Sequence, residues 1–170
     1  YVPLRHYTIK ELYEALINRK KKKYYRHMSC KEIKANVSKK VWNSYYKFSV
    51  VRNPFDRMVS LYFWKERDPK LNSIFQFLSS KQLKQYDSFE KYTINDQIAV
   101  DKVYQYEELE FFLGDLSKRI DLPEKLTLPE YHAKSNTRRI KDYKEILDEQ
   151  SIQLIKKLFT KEIELFNYQY

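Results

Sequence analysis

The chain has 170 residues, 42% of them hydrophobic and 16% aromatic, which is enough apolar material for one compact domain with a buried core and too much for a disordered tail. Lysine and arginine outnumber aspartate and glutamate 33 to 23, and the net charge of +10 favours anionic partners such as nucleic acid, phosphorylated nucleotide, acidic polysaccharide or an anionic membrane surface. The single cysteine, Cys30, excludes an internal disulfide and a cysteine-rich zinc site and favours a reducing compartment, while charges interrupt every apolar run before it reaches bilayer-spanning length.

In chain order, Thr8-Ile9-Lys10-Glu11 has capping-box spacing, and Leu12, Leu16 and Ile17 follow at helical intervals, so the pattern predicts a helix over 9–18. Lys20, Lys21, Lys22 and Lys23 then read as a solvated loop, with steering of an acidic acceptor as the functional alternative. Ser29-Cys30-Lys31-Glu32 repeats the capping-box spacing and predicts a second helix through Ile33 and Val37. The aromatic and β-branched run over 46–51 predicts a buried central strand. Pro54 follows at once, and a proline in the first turn with Asp56 near the positive end of the dipole predicts a helix over 54–65. Helical patterns recur over 74–83 and near Phe89, then a strand over 102–106 and a helix from Glu107 or Glu108 to about Ile120. Residues 122–136, with Pro123 and Pro129, read as an irregular functional loop closing on Lys134, Arg138, Arg139 and Lys141. Asp148 is the expected cap of one final helix ending near Asn167. Strands alternating with helices predict an α/β fold with a parallel sheet and no linker dividing the chain, hence a single domain over 1–170.

The segment from Lys47 to Tyr62 carries the most chemistry. It sets Arg52 at the carboxyl end of a strand, where ligands of open α/β sheets gather, beside a helix N-terminus suited to an anion. Physics alone leaves this reading level with a structural one, in which Arg52 caps a carbonyl or pairs with a surface acid. Arg52-Asn53-Pro54, followed by Arg57, Ser60 and Tyr62, resembles the 3'-phosphate motif of sulfotransferases that use 3'-phosphoadenosine 5'-phosphosulfate (PAPS). The segment from His27 to Lys34, Val103 to Leu109 and the closing Glu162 to Tyr168 are similar to the membrane-type and bacterial carbohydrate sulfotransferases, so the likeness runs from about His27 to the end.

The resemblance implies a helix-rich three-layer α/β/α fold of P-loop type and sulfuryl transfer from PAPS to a hydroxyl acceptor, with a carbohydrate expected and no metal. It implies that Arg52 and Ser60 hold the 3'-phosphate, joined by Arg57, and that Lys134 and Arg138 belong to a lid over the nucleotide, an ordinary basic loop being the alternative. For the catalytic base it points to His27, with Glu32 as substitute; the other histidines are His6 and His132. Nothing here resembles the family's phosphosulfate loop, and Gly114 is the sole glycine, so that loop is expected upstream of Tyr1. The expected setting is cytoplasmic, or the Golgi lumen should an anchor precede Tyr1. The competing readings are a basic nucleic-acid-binding module, a related nucleotide kinase and a non-catalytic nucleotide-binding relative.

Overall fold

The computed structural model describes residues 8–10, 24–65, 73–80, 83, 86–128 and 142–170. It is helix-rich with a small parallel sheet. The described elements are helices α1 (Cys30–Asn36) and α2 (Lys39–Ser44), strand β1 (Phe48–Val51), helices α3 (Pro54–Lys65), α4 (Ile74–Leu78) and α5 (Phe89–Tyr92), strands β2 (Thr93–Ile94), β3 (Gln97–Ile98) and β4 (Lys102–Gln105), and helices α6 (Leu109–Arg119), α7 (Glu149–Leu158) and α8 (Thr160–Phe166). β1 neighbours β4 in one two-stranded sheet, and β2 pairs antiparallel with β3 in another. Among the described residues no helix is long and apolar enough to cross a membrane.

The chain falls into two compact units, one comprising residues 1–49 and 90–102, the other 50–89 and 103–170. In the first, Ser29 accepts from Glu32 N–H while Glu32 accepts from Ser29 N–H, which completes the capping box that starts α1. The helix stops at Asn36, with Val37 extended as its C-cap, because Ser38 at once caps a new helix through Val41 N–H. β2 and β3 form a two-residue hairpin in which Asn95 and Asp96 both take positive φ, 50° and 63°. This is the primed-turn geometry that asparagine and aspartate tolerate best after glycine. Tyr92 (0% exposed) and Cys30 are buried in this unit, and burial raises the thiol pKa of Cys30.

In the second unit, α3 presents Phe55, Met58, Val59, Tyr62 and Phe63 along one face, the i, i+3, i+4, i+7, i+8 stripe of an amphipathic helix. Ile74 and Leu78 from α4 join them, with Ile152 and Ile155 from α7 and Phe159. Each such side chain, once buried, contributes roughly 1.5–3 kcal/mol.

The structure revises two expectations. The strand over 46–51 is shorter and only partly buried: Phe48 and Val50 are 41% and 38% exposed and only Val51 is buried, because side chains alternate along a strand and one face of β1 meets solvent. The final helix is two, α7 and α8, broken at Phe159, whose φ of −121° and ψ of 28° are not helical. The hydroxyl of Thr160 bonds back to Lys156 O at 2.7 Å, a pattern that bends helices, and the break sets the Phe159 ring in the core. Of the first predicted helix, Ile9 and Lys10 are helical; its remainder and the lysine run lie outside the described residues.

Candidate functional site

The strand-to-helix junction of the second unit is built by Asn53. Its Oδ1 accepts from Phe55 N–H at 3.0 Å and its carbonyl from Arg57 N–H at 2.8 Å, so it closes the first turn of α3 around Pro54, which has no N–H to satisfy. Its own N–H donates to Glu107 Oε1 at 2.8 Å and its amide to Gln169 O at 3.2 Å. Residues just past the carboxyl ends of β1 and β4 therefore meet: Asn53 with Glu107, and Arg52 with Tyr106. The Arg52 guanidinium lies 4.6 Å from the centre of the Tyr106 ring.

Arg52 is the cation displayed there, its side chain 25% exposed. Both Nε, at 2.5 Å, and Nη2 donate to a single carboxylate oxygen, Asp56 Oδ2. Ser60 is half-buried one helical turn beyond Asp56, on the same face of α3. Asp56 also bears on Tyr143, whose phenol pKa is raised first by burial and then by that negative charge.

Arg57 points elsewhere. Its Nη2 pairs with Glu162 Oε2 at 2.5 Å, its Nη1 donates to Ser88 Oγ, and Ser88 in turn donates to Glu162 Oε1. Glu162 is 1% exposed, the guanidinium lies 4.8 Å from the Phe159 ring centre, and the buried Nε has no hydrogen-bond partner. This cation binds α3 to α8 from within the unit. Close by, burial and then the carboxylates of Glu107 and Glu162 raise the pKa of Tyr168, whose hydroxyl donates to Glu107 Oε2 at 3.5 Å.

The first unit holds the other candidates. His27 is exposed, in a turn before α1, with a φ of 62° in the left-handed region that histidine enters more readily than most residues. The carboxylate of Glu32 accepts from Ser29 N–H at 2.8 Å, Ser29 Oγ at 2.7 Å and the hydroxyl of Tyr25. These bonds, that of Tyr25 foremost, hold its pKa down at about 2. A carboxylate so stabilised takes up a proton poorly near neutrality. Beside it, Ser29, Lys31, Glu90, Thr93, Asn95 and Asp96 line a polar cleft of about 370 Å³.

Lys134, Arg138, His6 and His132 lie outside the described residues. Sequence reasoning missed Tyr106 and Glu107 as neighbours of the Arg52 junction, and Glu162 as the partner of Arg57. The first pair had a usable signal, since Arg52-Asn53 follows one predicted strand directly and Tyr106-Glu107 stands at the carboxyl end of the other. Glu162, 105 residues from Arg57, had none.

A family model described as the sulfotransferase family matches residues 6–169. An uncharacterized protein of Archaeoglobus fulgidus is 32% identical over 120 residues, 68% of this chain and 96% of that protein. No solved structure matches.

Proposed function

Because the chain belongs to the sulfotransferase family, we propose that it moves a sulfuryl group from PAPS to a hydroxyl of a carbohydrate acceptor. The observation that carries this reading is the display of Arg52 at the carboxyl end of β1 beside the start of α3, with Ser60 further along the helix on the face of Asp56. On this reading Arg52 and Ser60 hold the 3'-phosphate, and Arg57 supports them by fixing α3 against α8. Lys134 and Arg138 join as the lid. The small sheet belongs to a three-layer architecture of P-loop type, as the strand, tight turn and helix over 48–65 suggest.

The donor supplies a sulfur centre bonded to a good leaving group, and the reaction is an in-line displacement in which the acceptor oxygen bonds to sulfur as the bond to the nucleotide phosphate breaks. The protein positions both partners and takes the acceptor proton. His27, an exposed imidazole in the turn before α1, is the better base, and Glu32 serves as the cap of α1. The polar cleft from Ser29 to Asp96 suits a polyhydroxyl acceptor, whose hydroxyls would find both donors and acceptors there.

Two single variants test this. Arg52→Ala should abolish calorimetric binding of adenosine 3',5'-bisphosphate, with the thermal midpoint of the free protein nearly unchanged, since a partly exposed pair contributes at most about 1 kcal/mol. His27→Ala should keep nucleotide binding and lose turnover by on the order of a hundredfold. Unaltered nucleotide affinity in Arg52→Ala, or affinity for ATP equal to that for the bisphosphate, would overturn the assignment.

A further inference from the structure

The two nitrogens with which Arg52 would grip a phosphate are the two it gives to Asp56. Nε and Nη2 form the side of the guanidinium fork best suited to a bidentate oxyanion, and both converge on Asp56 Oδ2. The ring of Tyr106 covers one face of the same guanidinium at 4.6 Å, which restricts its reorientation. Asp56 is the third residue of α3, at the end of the helix whose dipole complements a negative side chain, and its side chain is 17% exposed.

We propose, resting on the assignment of Arg52 to the 3'-phosphate, that Asp56 is a built-in counter-ion which the phosphate must displace. It tunes the nucleotide site to a lower affinity than Arg52 alone would give. An arriving phosphate gains the two nitrogens only as Asp56 gives them up, and it then faces the Asp56 carboxylate across the same arginine. Net binding is the difference between two charge-assisted pairs, so removing the carboxylate strengthens binding. The device favours a ligand that must be released each turnover, since the carboxylate returns to Arg52 as the product leaves. It also keeps the arginine aligned for the next nucleotide.

The test compares single and double variants in the full chain, with binding of adenosine 3',5'-bisphosphate followed by calorimetry. Asp56→Asn should tighten binding on the order of fivefold, the scale of one partly exposed ion pair. Asp56→Ser, which also suits a helix start, should do the same and guards against a folding defect in the first variant. In an Arg52→Ala background the Asp56→Asn change should restore no binding, because the competition needs the arginine. Unchanged or weakened binding in both Asp56 variants, with Arg52→Ala still abolishing binding, would overturn the role of Asp56 and leave that of Arg52 standing. Recovery of measurable binding by Asp56→Asn in the absence of Arg52 would also overturn it, as relief of general repulsion would then be the cause. Full binding by Arg52→Ala would remove the phosphate assignment itself, and this proposal with it.

Discussion

Glu32 spends its carboxylate on three hydrogen bonds, and its pKa of about 2 against an ordinary 4.5 carries a sign for stability. A carboxyl depressed on folding stabilises the native state fully above its unfolded pKa and loses that contribution as pH falls through the folded value. The capping contribution of Glu32 is therefore complete above about 4.5 and drains away between there and about 2. Glu32→Gln keeps the shape of the capping box and removes the charge. The gap in thermal midpoint between wild type and this variant should be widest near neutrality and close over that acid window. A gap independent of pH would show that the charge contributes nothing. At this scale local spacing was informative wherever both partners lie within a turn or two. Ser29 with Glu32 was read directly, and Arg52 with Asp56, four residues apart, was open to the same reading.

Among the elements, α7 displays the terms that set helix limits. Asp148 Oδ1 accepts from Ser151 N–H at 2.8 Å, and this bond lowers the Asp148 pKa. Asp148→Ala should cost about 1 kcal/mol in urea denaturation at pH 7. The cost should shrink at low pH, where a protonated side chain caps less well. A loss below about 0.3 kcal/mol would mean that packing of Ile152 and Ile155, not the cap, holds the start of α7. Helix starts were legible because their signals are short side chains beside free N–H groups. Ends and breaks were less so. Asn36 passes to Ser38 without a glycine, and α7 gives way to α8 at Phe159 within an unbroken apolar periodicity. The β2–β3 hairpin went unread because its strands have two residues each, too few for alternation to register, although Asn95-Asp96 carried the turn.

The second unit holds an ion pair between Arg57 and the buried Glu162, completed by Ser88. Removing one partner strands a charge away from water, so Glu162→Ala should destabilise the second unit by about 3–5 kcal/mol in urea denaturation. Replacing both by apolar residues, as in Arg57→Met with Glu162→Leu, should recover most of that loss. If Glu162→Ala costs under about 1 kcal/mol, the pair is solvated and the inference from its burial fails. The sequence by itself determined the family likeness, the strand-turn-helix around Arg52, and the capped starts of α1 and α7. All of these rest on residues within a few positions of one another, where helix and strand periods act directly. Only the tertiary structure decided that Arg57 faces Glu162 inside the second unit, that Glu107 and Gln169 hold Asn53, and that Tyr106 covers Arg52. Those partners lie from about 50 to more than 100 positions away in sequence, and they meet because apolar burial brings their elements together, an outcome that local pattern does not encode.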